Sequence, residues 1–252
     1  MKKFGICHLS VAPLRLEPSD RSEMISQILF GESFEILEEQ VKWTKIRCMW
    51  DDYEAYIDVK QYIVVDERTA KLSLKSSLSI SPITNIRSNK SQQYLSVASV
   101  LNNNLIDLLN LEFSESEWLN VNDKKIPSIS DLSKTWLKTP YLWGGRSIFG
   151  IDCSGFTQSV FKFFGCALPR DAYQQADVGA VVNFIEEAKE GDVAFFDNDE
   201  QKIIHVGIIL DKHHIIHASG EVRIDKIDHQ GIFNEDIQRY THKLRIIKRV
   251  ID

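Results

Sequence analysis

Along the first 68 residues, apolar and polar positions alternate in runs too short for helices. The segments SQILFGESFEILEE, WTKIRCMW and EAYIDVKQYIVV are rich in apolar and β-branched residues, and Gly31, Asp51 and Asp52 separate them. This pattern predicts short strands, and their close spacing predicts a small barrel over residues 1–68. Residues 69–74 and the serine-rich SLKSSLSISP read as a linker or an entry strand. The texture then repeats. NIRSNKS parallels RLEPSDRSE, VASVLNNNLIDLLNLE parallels ISQILFGESFEILEE, and EWLNV parallels KWTKI. A second, shorter, degenerate copy is therefore expected over 69–126. From residue 127 the pattern changes. DLSKTWLKTP has apolar residues at helical spacing, ended by Pro140. In CSGFTQSVFKFFG, Phe156, Val160, Phe163 and Phe164 follow Cys153 at helical intervals, and Gly165 is a stop signal. GDVAFF, HVGIIL and HIIHAS predict strands. Helices followed by antiparallel strands predict an α+β domain over 127–252.

Composition narrows the function classes. The 252 residues are 43% hydrophobic and 26% charged, enough apolar mass for at least one sizeable core. The net charge is -6 and the Lys and Arg are scattered, which argues against a nucleic-acid partner. No apolar run approaches the roughly 20 residues of a membrane helix, so no membrane partner is expected. In MKKFGICHLSVAPLRLEPSD, His8, Pro13 and Arg15 interrupt any secretory core, so no signal peptide is expected. Cys7, Cys48, Cys153 and Cys166 form no CxxC and no framework, and read as free thiols of a reducing compartment. The expected location is cytoplasmic, with the periplasm or cell envelope as the alternative if a signal segment was removed. A monomer is expected.

The candidate chemistry centres on GIDCSGF, residues 150–156. At the first turn of the predicted helix, Cys153 would feel the positive end of the helix dipole, with Asp152 or a neighbour as cap. A nearby imidazole would lower its pKa further, from about 8.5 to below 7.5, the condition for a nucleophile. His205 opens HVGIIL and His217 ends the run HIIHAS. A hairpin turning about Asp211 would set positions 205 and 217 opposite each other on one face. One imidazole could then meet the thiol while the other orients it. Two other readings stay open at this point. Cys153 could be a core residue. Cysteine with several histidines could also hold zinc, although alternation turns His214 away from His213 and His217. His213 and His214 read most simply as turn residues, and no metal or cofactor is expected.

Two resemblances add to this reading. KWTKIRCMWDDYEAYIDVKQY, with a strand carrying Trp43, an acidic turn and a returning strand through Tyr56-Ile57, resembles bacterial SH3-like domains. TPYLWGGRSIFGIDCSGFTQSVFKFFGCALPRDAYQQA, followed by EGDVAFF, HVGIIL and IIHASG, resembles the NlpC-like family of cell-wall cysteine peptidases, which have a papain-like α+β core. The resemblance implies Cys153 as nucleophile, His205 as general base and His217 as the third polar member. It places Tyr141 near the oxyanion site. Asp152, Ser154 and Arg170 would line the substrate pocket, and Trp143 would pack either beside the ligand or in the core. Tandem SH3-like domains ahead of this domain resemble the γ-D-glutamyl-L-diamino-acid endopeptidases of the dipeptidyl-peptidase VI type. These cut small murein peptides with a free N-terminal L-Ala between γ-D-Glu and L-Lys or meso-diaminopimelate. In that arrangement a carboxylate meets the substrate's amino terminus, here matching Glu23, and a tyrosine matches Tyr53. Relatives often have Ser after the Arg-Asp pair. Ala172 stands there in this chain, so Asp171 and backbone groups would have to substitute. The competing functions are an exported wall-lytic D,L-endopeptidase and an inactive wall-peptide binding protein.

Overall fold

The computed structural model describes residues 2–88, 91–113, 118–121 and 123–251. It divides into two compact units. The first comprises Met1–Ile126, Trp143–Gly150 and Phe163–Gly165. The second comprises Pro127–Leu142, Ile151–Lys162 and Cys166–Asp252.

In the first unit, seven antiparallel strands form one sheet. Its order is Met24–Leu29, Val11–Arg15, Glu54–Asp58, Trp43–Cys48, Ser33–Glu39, Lys3–Cys7 and Tyr62–Val65. The period-2 pattern is what closes it. Alternate residues such as Ala12, Leu14, Ile46, Cys48, Ala55 and Ile57 point into one core with Phe34 and Ile28. Gly31 makes the turn into Ser33–Glu39 with φ +76°, where a Cβ would lie 2.0 Å from the Val100 carbonyl oxygen, so only glycine fits.

The stretch expected as a linker is a helix, Glu67–Leu72, because the Asp66 carboxylate accepts the Thr69 amide at 2.7 Å and caps it. Further on, where the first barrel has the strand Ser33–Glu39, the parallel segment forms the helix Asn103–Leu109. Asn102 caps it by accepting the Leu105 amide, and Leu105 and Ile106 are buried at helical rather than strand spacing. Around it lie a two-stranded sheet, Ile83–Arg87 with Gln92–Ser96, and a three-stranded one, Val100–Leu101, Ser77–Ser79 and Trp118–Leu119. Ile86, Leu95, Leu105, Ile106 and Trp118 share a core with Ile6 and Phe30 of the first barrel. Residues 89–90, 114–117 and 122, part of the expected second copy, lie outside the described residues.

The second unit is α+β. Pro127–Leu142 contributes the short helix Ile129–Ser133, capped by Ser128, and the 3₁₀ turn Lys134–Trp136. The sheet runs Ala180–Val182, Arg239–Arg249, Val193–Asp197, Ile203–Ile209, His214–Ser219, Glu221–Asp228 and Gly231–Asn234, and the last strand pairs back onto Arg239–Arg249. All ten residues of the helix Cys153–Lys162 are buried, and Phe156 meets Trp136 edge-on at 6.1 Å. Among the described residues, no helix is long and apolar enough to cross a membrane.

Within the first unit, the Arg146 guanidinium is forked onto Glu32 at 2.9 and 3.0 Å and donates to the Gln27 carbonyl; both charged side chains are under a tenth exposed. Breaking one half of such a pair leaves a desolvated charge. Glu32→Ala is therefore expected to cost about 3–5 kcal/mol, read from the urea-unfolding midpoint of the full chain; an unchanged midpoint would contradict this.

Candidate active site

Cys153 is the first residue of its helix, and what precedes it fixes its position. Asp152 accepts the Gly155 amide at 2.7 Å, satisfying one of the free donors of the first turn. Arg170, 1% exposed, grips Asp152 with two parallel bonds of 3.1 and 2.6 Å and donates to the Ser154 hydroxyl at 2.9 Å. Asp152, Ser154 and Arg170 thus form a buried network around the helix start. The expectation for them was a pocket wall. Their polar atoms are bonded to one another around the first turn that carries Cys153. Thr157 and Gln175 extend it, joined at 2.7 Å, with Gln175 Nε2 donating to the Ser154 carbonyl. Asp171 precedes the short helix Ala172–Gln175, and its amide donates to Gln174 Oε1 at 3.4 Å.

The histidines come from the sheet. The hairpin register pairs Gly207 with His217, Ile208 with Ile216 and Ile209 with Ile215. The turn is thus centred one residue beyond Asp211, and His205 lies diagonal to His217 instead of directly opposite. The slip is two residues in register, so both rings stay on one face. Gly207 is what admits the diagonal contact, since a Cβ there would come 2.8 Å from the His217 Cβ. His205 Nε2 and His217 Nδ1 are 2.9 Å apart, and both residues are buried. The Cys153 thiol bonds to the backbone of Val206, the residue after His205.

Two participants were not found from sequence. Asp225 Oδ2 lies 3.0 Å from His217 Nε2, and Arg223 forks onto the same carboxylate at 2.7 and 2.8 Å while also bonding Asp236. The signal was the turn Ser219-Gly220-Glu221. It sets Arg223 opposite His217 and puts Asp225 on the histidine face. His242 stacks on His205 with ring centroids 4.1 Å apart and 25° between planes. It lies 37 positions on in sequence from His205, within Arg239–Arg249, and no local pattern marked it. The zinc alternative involves His213, His214 and His217, the closely spaced histidines of the sequence. Instead, His214 Nδ1 bonds Asp211, and the three imidazoles that gather are His205, His217 and His242, with nitrogens within 4.8 Å of one another. Both nitrogens of His217 are already engaged, so a metal there would have to break one of those bonds.

Burial sets the charge states. It pushes the Cys153 thiol up to about 12, and Asp152 adds to this; the backbone bonds of Val206 and Ser154 and the Arg170 charge act the other way. The sequence pointed to a thiolate favoured by the helix end. That end is worth only about 0.3–1 kcal/mol, and desolvation outweighs it. Burial likewise holds His205 well below the ordinary histidine value, helped by His217 and His242. It lowers His217 too, against the pull of Asp225. These directions favour a neutral thiol and neutral imidazoles at rest. Burial, with the Asp152 charge, also raises the half-buried Tyr141 phenol, which keeps its proton and remains a hydrogen-bond donor.

The remaining expected residues lie in the first unit. Trp143 is 62% exposed, and its indole N–H donates to the Glu23 carboxylate at 2.6 Å. Tyr53 sits at the turn between Trp43–Cys48 and Glu54–Asp58, its amide on Asp51 Oδ1.

Residues 138–241 match the NlpC/P60 family, and residues 14–61 match the bacterial dipeptidyl-peptidase SH3 domain. The γ-D-glutamyl-L-lysine dipeptidyl-peptidase of Bacillus cereus is 26% identical over 250 residues, covering 86% of this chain and 74% of its own length. The enzyme of the same name from Bacillus subtilis is 46% identical over 85 residues, 33% of this chain and 28% of that protein. A crystal structure of an NlpC/P60 family protein from Bacillus cereus superposes with a TM-score of 0.81, at 20% identity over 99% of this chain and 100% of that one, and shares its fold.

A resting thiol of this kind has a measurable signature. The ultraviolet thiolate absorbance of the wild type minus that of Cys153→Ala is expected to stay flat through neutral pH and to rise only above about pH 9, past the ordinary thiol range. A step centred near neutrality would instead reveal a thiolate–imidazolium pair.

Proposed function

We propose that this chain, an NlpC/P60 cysteine peptidase with a bacterial dipeptidyl-peptidase SH3 domain, hydrolyses the bond between γ-D-Glu and the diamino acid of murein stem peptides with a free N-terminal L-Ala, releasing L-Ala-D-Glu. The observation that carries the reading is a thiol pinned at a helix start and hydrogen-bonded beside the strand position of a buried, neutral histidine pair. The names of the relatives from two Bacillus species supply the substrate class.

In the proposed reaction, His205 takes the Cys153 proton as sulfur attacks the γ-carbonyl carbon. Because both groups rest neutral, charge separates only as the S–C bond forms. The Cys153 backbone N–H and the protonated Tyr141 hydroxyl stabilise the oxyanion. The C–N bond breaks as His205 returns the proton to the leaving amine. Water, deprotonated by His205, then attacks the thioester carbonyl; the C–S bond breaks, and His205 returns the proton to the Cys153 sulfur. The assignment of Glu23 and Tyr53 to the substrate's amino terminus rests on the resemblance; the indole bond from Trp143 holds the Glu23 carboxylate in one orientation.

The purified full chain is expected to convert L-Ala-γ-D-Glu-L-Lys to L-Ala-D-Glu and lysine by mass, and Cys153→Ala to abolish turnover with the fold kept. N-acetylated peptide should react roughly 10- to 100-fold more slowly, since a charged hydrogen bond contributes about 1.5–3 kcal/mol. Equal turnover of blocked and free peptides would favour a wall endopeptidase, and no turnover would remove the enzyme reading. For the wild type, kcat/KM should hold as pH falls through 6.5, because burial and its imidazole neighbours keep His205 unprotonated there. An acid limb centred on 6.5 would mean that His205 titrates as an exposed histidine.

A further inference from the structure

We propose that Asp225 selects the tautomer of the paired histidines, so that Nδ1 of His205 is left as the proton acceptor for the thiol. The proposal rests on the reading of Cys153 and His205 given above and deepens it. Each neutral imidazole carries one N–H and one lone pair. An ionised carboxylate can only accept, so the hydrogen in the 3.0 Å contact between His217 Nε2 and Asp225 Oδ2 belongs to His217. His217 Nδ1 is then a lone pair, and the hydrogen in its 2.9 Å contact with His205 belongs to His205 Nε2. His205 Nδ1 is thereby bare and basic.

Without the carboxylate the pair could run the other way. His217 would donate from Nδ1, His205 would accept at Nε2, and its own hydrogen would move to Nδ1. The thiol would then face a donor where it needs a base. The orienting group in a catalytic triad prevents this error, and here the constraint is passed through an intervening imidazole.

The surroundings favour an ionised Asp225. Burial opposes its charge, yet hydrogen bonds from His217 and Arg223 hold the carboxyl below its usual range. Arg223 occupies both oxygens and is itself tied to Asp236, so the carboxylate cannot rotate without losing a bidentate ion pair. The local sequence supports a dedicated role. On the strand Glu221–Asp228, Ile224 is 38% exposed while Asp225 is 5% exposed. Burying the acid and exposing its apolar neighbour costs stability unless that acid has a bonded task. Asp225 is thus a positioning residue that acts through His217.

The test uses the full chain labelled with ¹⁵N-histidine, with wild type, Asp225→Leu and Asp225→Asn compared at neutral pH. Imidazole nitrogen shifts of the wild type are expected to place a hydrogen on Nε2 of both His205 and His217. Asp225→Leu should give the reversed or mixed tautomer, with kcat on L-Ala-γ-D-Glu-L-Lys falling roughly 10²-fold and KM nearly unchanged. Asp225→Asn keeps an acceptor oxygen and should retain the wild-type tautomer in part and lose less activity than Leu. A hydrogen on Nδ1 of His205 in the wild type overturns the proposal, and so do unchanged tautomers in a folded Leu variant. If the Leu variant does not fold, the wild-type shifts and the Asn variant decide alone. A wild type with the expected tautomers but no hydrolysis would sink the functional reading and leave this inference standing.

Discussion

The buried ion pair between Arg170 and Asp152 fixes where the helix Cys153–Lys162 begins, and the rest of the site follows from that point. One carboxylate has two tasks: it caps the first turn through the Gly155 amide and it neutralises a guanidinium with almost no access to water. Neither is separable from the other. Removing the arginine would strand a charged cap beneath the thiol, and removing the aspartate would strand a guanidinium. The position of the Cys153 sulfur is therefore overdetermined, although the helix it begins is only ten residues long.

The paired imidazoles have their charges suppressed by the same burial that acts on the sulfur. Desolvation raises the thiol and lowers the imidazoles, so the two effects move the proton-transfer partners away from an ion pair. Such a site holds its reactivity in reserve. In the proposed reaction the proton would move only when a carbonyl arrives to absorb the electron pair, and the raised phenol of Tyr141 would still have its hydrogen for the oxygen that becomes negative. A neutral resting state also limits side reactions of the sulfur with oxidants and electrophiles, which act on thiolate.

Much of this was legible from residue order. The alternation of the first 65 residues gives the barrel strands, the D-C-S-G motif gives the helix start, and the shared parity of positions 205 and 217, twelve apart, gives a shared face. The exact pairing was not legible, because turn length sets register and DKHH allows more than one turn. The helices Glu67–Leu72 and Asn103–Leu109 were missed because Asp66 and Asn102 act through caps that apolar periodicity does not weigh. Asp225 and His242 were missed for a different reason. Both contacts depend on strand pairing: Asp225 meets His217, eight positions back, only in the register that the turn Ser219-Gly220-Glu221 sets, and His242 meets His205 across the closure of the sheet. Charge states were the least legible of all, since helix-end electrostatics can be read from sequence and depth of burial cannot.

Residues 143–150 carry a last consequence. They sit in the middle of the motif that leads to the nucleophile, yet they fold as part of the first unit, where Arg146 has its carboxylate in Glu32, Ile148 its acceptor in Ser96 and Trp143 its acceptor in Glu23. The peptidase module of this protein is therefore not a cassette. Excising everything before residue 127 would remove Glu23, Glu32 and Ser96, the partners of a stretch that ends three residues before Cys153. Gene fusions or domain exchanges that preserve chemistry would have to carry both stretches of chain together.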